Sequence, residues 1–313
     1  MRLILITLIL FIGSCKQVEN DWIDKTRHEG LKKLEITAPF EILSTEAKPI
    51  GINKTIKNLE ESKVYFDKVF NEDLNFAVLF VDNQNWDKYA WAPPPGMPQS
   101  YYDGNIVLGI GKSIMASRWE QRLHKLPIQK LDSLRHVFGN EIDLDIFFRD
   151  ALSLHELGHL YQFYKTSKES QRRWLNEIFG NLCQVASAKN LESKDVFIQM
   201  DYFQELLIKE NLWGKVEYKT LDQFEESYLE IIKQGRNYGW YQTQFYQIAK
   251  ELYLKFGDEF LNKFRDLLIS IDAKKIGKIE NDELIEIIRN NLGDEAVAIL
   301  KWKHDSYQCV KYS

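Results

Sequence analysis

The sequence predicts an α+β chain, a small N-terminal sheet with helices followed by a mainly helical region. Two observations predict it. Between Lys33 and Gly111, β-branched and aromatic runs bounded by Asp, Asn and Gly alternate with a charged amphipathic stretch. After Lys112, apolar residues recur at three- and four-residue spacing to the end of the chain.

In order, the expected elements are a strand over Leu34 to Ile42, a helix over Lys54 to Val69, a strand over Asn75 to Val81 and a strand over Asn105 to Ile110. Between the last two lies Trp91-Ala92-Pro93-Pro94-Pro95-Gly96-Met97-Pro98, which holds four of the seven prolines and cannot supply ladder donors, so it reads as a loop. Gln99 to Gly104 reads as a turn into the next strand. Helices are expected at Leu144 to Tyr164, Glu169 to Ala188, Lys194 to Lys209, Leu221 to Lys233, Tyr241 to Phe256, Asp258 to Ile271 and Asp282 to Trp302. No internal repeat and no low-complexity linker divides the chain. The expected organisation is a leader and tether over 1–20, an α+β part over 21–112, a helical part over 113–260 and C-terminal helices over 261–313.

The chain opens with Arg2, an apolar run from Leu3 to Ile12 and then Gly13-Ser14-Cys15. The run covers about half of the roughly 20 residues that a spanning helix needs, and small residues follow it, as in a signal peptide. The junction resembles the lipobox of bacterial lipoproteins. That resemblance implies lipidation at Cys15, anchorage to a membrane through that lipid, and a place in the bacterial cell envelope outside the cytoplasm. The 41 basic and 46 acidic residues give a formal net charge of −5, or −6 once Arg2 is removed, which suggests no nucleic-acid partner. Of the remaining cysteines, Cys183 and Cys309 permit one disulfide in an oxidising compartment; Cys183 lies in an apolar helical pattern that suits a buried free thiol equally well.

The stretch that carries chemistry is Leu152-Ser153-Leu154-His155-Glu156-Leu157-Gly158-His159. On a helix, His155 and His159 project from one face, so two imidazoles can meet one ion, with Glu156 turned toward a water on it. Gly158 costs about 1 kcal/mol of helix propensity relative to alanine, which points to close packing there. A catalytic zinc site takes three protein ligands and keeps one open position. Glu177 is the candidate third ligand: separated from His159 by seventeen residues, it shares a helical face with Trp174, Ile178, Asn181 and Val185, where an unpaired carboxylate is costly.

His155-Glu156-Leu157-Gly158-His159 followed by a Trp174-Leu175-Asn176-Glu177 helix resembles the gluzincin peptidases, the class with the thermolysin-like and M1 aminopeptidase families, over about residues 150–260. The resemblance implies a zincin-like fold with the active site in a cleft between sheet and helices. It implies His155, His159 and Glu177 as Zn2+ ligands, Glu156 as general base, and a peptide or protein substrate. It also implies Asn105 to Ile110 as the edge strand that pairs with substrate, and a downstream tyrosine as oxyanion donor, with Tyr241 preferred and Tyr238 second. The histidine-to-glutamate spacing is one or two residues shorter than in the best known families. Metzincins need Gly and His where this chain has Gln162 and Lys165, and aspzincins need an aspartate that is missing between His159 and Asp195. The absence of a Gly-Ala-Met-Glu-Asn stretch tilts toward endopeptidase action. The alternative is a surface binding or scaffold lipoprotein with a zincin-like fold and little or no peptidase activity.

Overall fold

The computed structural model describes residues 22–91 and 94–304. The expectations for Cys15, its leader and Cys309 lie outside them. Strands β1 (Lys32–Lys33), β2 (Glu41–Ser44), β3 (Ala77–Val81), β4 (Gln99–Ser100) and β5 (Asn105–Gly109) form a sheet in the order β1-β2-β3-β5-β4. β3 runs parallel to both β2 and β5, while β1 and β4 are antiparallel edges. Every residue of β3 and β5 is buried, as expected of strands covered on both faces. Val78, Phe80, Ile106 and Leu108 face the main helical core; Ala77, Leu79, Val81 and Val107 face a smaller cluster under Trp86 and Tyr89.

The helices follow as α1 (Asn53–Phe70), α2 (Trp86–Tyr89), α3 (Ile114–Leu123) and α4 (Ile128–Phe138). A π-helical segment, Ile146–Ala151, then leads directly into α5 (Leu152–Phe163). After α5 come α6 (Arg173–Asn190), α7 (Asp195–Lys209), α8 (Leu221–Glu226), α9 (Tyr228–Gln234), α10 (Arg236–Ser270), α11 (Ala273–Ile276), α12 (Asn281–Leu292) and α13 (Asp294–Leu300). No helix among the described residues is long and apolar enough to cross a membrane.

The structure corrects several expectations. Leu34 to Ile42 is not one strand: β1 ends at Lys33 and β2 starts at Glu41, because Pro39 in the middle of the run has no N–H for a ladder. Gln99 and Ser100 are not turn but β4, and β5 is therefore an interior strand, with β4 the edge beside α5. α3 and α4 occupy a stretch in which no discrete helix is expected. The two helices expected around Gly257 are one element, α10, broken at that residue (φ 66°, ψ −154°), a backbone state that suits glycine. The boundary expected at 260/261 falls inside α10, and Phe260, Leu261 and Phe264 share one core with residues from Leu34 to Trp302.

The site is positioned by the contact of α5 with α6. A Cβ on Gly158 would lie 2.3 Å from Cys183 Cβ, so the small residue in α5 lets the two backbones close to within contact of the Cys183 side chain. Cys183 is buried and, among the described residues, has no disulfide partner.

Candidate metal and substrate site

α5 and α6 bring His155, His159 and Glu177 together, all buried. His155 Nε2 lies 2.9 Å from His159 Nε2, and Glu177 Oε2 lies 3.5 Å from the first and 3.9 Å from the second. The imidazoles lie against the α6 backbone at Gly180, where a Cβ would sit 2.7 Å from His155 Cε1 and 2.7 Å from His159 Nε2. Three donors on a tetrahedral ion with bonds of about 2.0–2.1 Å stand about 3.4 Å apart. The observed separations bracket that value, and two imidazoles with one carboxylate are the donor set of a catalytic zinc centre. The residues fit a zinc ion.

Supporting groups hold this set in place. Gln242 Nε2 donates to Glu177 Oε2 at 2.7 Å, and Asn181 Nδ2 donates both to Gln242 Oε1 and to the Glu177 carbonyl. His159 Nδ1 lies 3.4 Å from Gln162 Oε1, whose amide donates in turn to Asn176 Oδ1. The Phe163 ring stacks on the His159 ring at 5.3 Å. His155 Nδ1 is buried with no partner among the described residues.

Burial favours a protonated Glu177 carboxyl, but hydrogen bonding to His155, the charges of both histidines and the Gln242 amide outweigh it and hold the pKa down at about 2. Burial and the neighbouring His155 lower His159 to about 4. Burial also disfavours a charged His155, but the Glu177 hydrogen bond and the charges of Glu156 and Glu177 win and raise it. Glu156, half-buried on the same turn of α5, accepts a hydrogen bond from Ser100 Oγ at 2.5 Å. Burial pushes its carboxyl up to about 7, against the lowering effect of His155 and Ser100.

His155, Glu156, His159 and Glu177 all open onto one cavity of about 650 Å3, within the usual range for ligand sites. Gln99 and Ser100 of the edge strand line it, as do Trp91, Pro94, Met97 and Pro98 of the proline-rich loop. Tyr238 and Tyr228 line it too, and the Tyr228 hydroxyl lies 3.4 Å from Glu177 Oε1. Burial raises both phenols well above the usual tyrosine range, so both remain O–H donors at neutral pH.

Tyr241 is not brought to this site. It is fully buried, its hydroxyl donates to the Thr220 carbonyl at 2.7 Å, and its ring stacks on Trp302. Ser100, Tyr228 and Gln242 are not singled out in the sequence. Gln242 stands beside Tyr241 in a segment that is, but one helical position separates the residue that reaches Glu177 from the one that faces the core.

Solved structures similar to this chain are M1 zinc metallopeptidases. One, from Deinococcus radiodurans, shares 14% identity over 86% of this chain and 49% of its own, with a TM-score of 0.40. A mutant of a two-domain M1 zinc metallopeptidase bound to L-tryptophan gives 14% identity, 86% and 49% coverage and a TM-score of 0.43. A mutant of the Deinococcus radiodurans M1 zinc metallopeptidase bound to a Tyr-Ser-Ala substrate gives 15% identity, 83% and 46% coverage and a TM-score of 0.39. The chain thus spans about half the length of these proteins. No protein-family model matches it, and no curated protein does.

Proposed function

We propose that this chain is a zinc-dependent peptidase. The observation that carries the reading is the buried His155, His159 and Glu177 donor set opening, beside Glu156, onto a cavity bordered by a sheet edge. Zinc held there would act as a Lewis acid toward a carbonyl and lower the pKa of a water toward about 7. Glu156 takes the proton from the attacking water and passes it to the leaving amine. β4, the outer strand beside the cavity, offers the side on which an extended peptide would pair, with β5 occupying its other side. Tyr238, aided by Tyr228, donates to the oxyanion that develops as the carbonyl is attacked. The apolar run from Leu3 to Ile12 and the Gly13-Ser14-Cys15 junction after it support lipid anchorage at Cys15 in a bacterial cell envelope.

The experiment is zinc stoichiometry by elemental analysis on the chain from Glu19 onward, with peptide-library cleavage on the same samples. Wild type is expected to hold about one zinc per chain and to cut peptides; Glu177→Ala is expected to lose the metal and the activity together. A wild type that takes up no zinc ends this reading. Zinc without any cleavage moves the scaffold lipoprotein ahead.

The pH dependence has a defined sign. Glu156 acts as a base only when ionised, so kcat/KM falls about tenfold per unit on the acid side of its pKa. That value is about 7 in the metal-free chain, and a cation at the donor set lowers it, so the acid limb of the zinc-loaded protein lies at or below pH 7. Removing the Ser100 hydroxyl takes a hydrogen bond from the carboxylate and raises its pKa. Ser100→Ala therefore moves the limb to higher pH, with a several-fold loss of rate at pH 6; an unmoved limb would separate Ser100 from the base.

A further inference from the structure

The cavity continues past the donor set to an aromatic wall that hydrolysis itself does not require. Phe147 and Phe148 of the π-helical segment, Phe203 and Leu207 of α7, and Trp213 form it. The rings are mutually fixed: Phe147 meets Phe203 with centroids 5.0 Å apart and Phe148 meets Phe147 at 4.9 Å, both edge to face. Trp213 is fixed by other means. A Cβ on Gly239 would lie 2.1 Å from its ring, its Nε1–H donates to Thr243 Oγ1 at 3.0 Å, and that hydroxyl donates to the Gly239 carbonyl at 2.9 Å. The polar groups of Trp213 and Thr243 are therefore already paired with each other and with the α10 backbone.

Gln204 is not paired. It follows Phe203 on α7, lines the same cavity and is only 3% exposed. Its Oε1 is buried without a partner, and its amide makes no hydrogen bond to a described residue. Buried polar groups are nearly always hydrogen-bonded, so an unpaired amide in a binding cavity points to a ligand. Rotation about the terminal torsion exchanges its oxygen and nitrogen, so it can accept or donate. The wall around it carries no charge, which disfavours a charged side chain there.

Leu152, also on the lining, stands four residues before Glu156, and Phe148 four before that. Four residues advance a helix by about 6 Å, so Leu152 stands about one turn from Glu156 and Phe148 about one turn further along the cavity.

We infer that this wall is a side-chain subsite for an aromatic residue ending in a hydrogen-bonding group, as tyrosine does, and that Gln204 reads its tip. The inference deepens the peptidase reading and rests on it for which bond is cut, but not for what the pocket holds. The metal-free full chain is titrated with N-acetyltyrosinamide and N-acetylphenylalaninamide by ligand-observed NMR, as wild type and as Gln204→Leu, with Gln204→Met as a second variant in case the first fails to fold. Wild type is expected to bind the tyrosine amide about three- to tenfold more tightly, the worth of one hydrogen bond. The variants are expected to bind both amides equally, at the affinity of the phenylalanine amide. A preference that survives in both variants, or no binding of either amide to wild type, overturns the subsite. Peptides with tyrosine or phenylalanine in that position then report the same ratio in kcat/KM. If no peptide is cut while the Gln204-dependent preference persists, the hydrolase reading fails and the subsite stands.

Discussion

Glu156→Gln is expected to abolish peptide hydrolysis while zinc stays at about one per chain. The exchange keeps the volume of the side chain and an oxygen for the Ser100 hydroxyl, which lies 2.5 Å from the carboxylate, so the edge strand and α5 remain tethered. It removes the basic group. A positioned general base contributes typically about 10²–10⁴ in rate, and here it serves both proton transfers, so kcat should fall by at least about 10². The measurement pairs elemental analysis with progress curves on a good peptide. A wild-type rate would remove Glu156 from the chemistry, whereas joint loss of zinc and rate would make it a structural member of the site. Because this carboxyl, raised to about 7 in the metal-free chain, sets the acid limb, the substitution also removes the acid-side titration of any residual activity.

Gly180→Ala is expected to lose zinc and activity although the residue touches neither water nor substrate in the mechanism. Its new Cβ would lie 2.7–2.8 Å from His155 Cε1, His155 Nε2 and His159 Nε2, closer than carbon contacts allow. Neither side can give way readily: α6 carries fourteen buried residues, and both histidines are held between α5 and α6. Propensity argues the other way, since alanine favours a helix by about 1 kcal/mol over glycine. Any net destabilisation is therefore the clash, and overpacking of this kind costs typically about 1–3 kcal/mol. Thermal melts with and without added zinc are the check. The variant should fold with its helix content intact but gain no stability from the metal. A normal rise in Tm on adding zinc would show that the imidazoles do not sit against this backbone.

What was legible in the sequence is the part whose geometry is local. His155, Glu156 and His159 lie within five residues, so one helical turn fixes their relation, and Glu177 follows from the face of the next helix. Asn105 to Ile110 reads as the edge strand because β5 offers the visible run Ile106-Val107-Leu108 while β4 has only Gln99 and Ser100. Ile106 and Leu108 point to one face and Val107 to the other, and apolar side chains on both faces fit an interior strand covered on both sides. Tyr241 and Tyr238 look alike in sequence, three positions apart on one helix. What separates them is the Thr220 carbonyl, 21 residues away, which takes the Tyr241 hydroxyl. Tyr228 and Gln242 reach the site only through the packing of α9 and α10 around α6, and no local pattern encodes that. Ser100 is likewise brought to Glu156 across 56 residues by the sheet.

The π-helical segment before α5 has a further consequence. Its wider turn takes up about one residue more than an α-turn, so it sets the rotational phase of everything upstream relative to everything downstream. Deleting a single residue within Ile146–Ala151 would let the wide turn close to an α-turn, so the chain before it stays nearly in phase and His155, Glu156 and His159 stay where they are. A one-residue change at this point therefore alters which side chains line that wall of the cavity while the metal centre stays fixed, which makes the segment a seam where substrate contacts can change and the chemistry is kept.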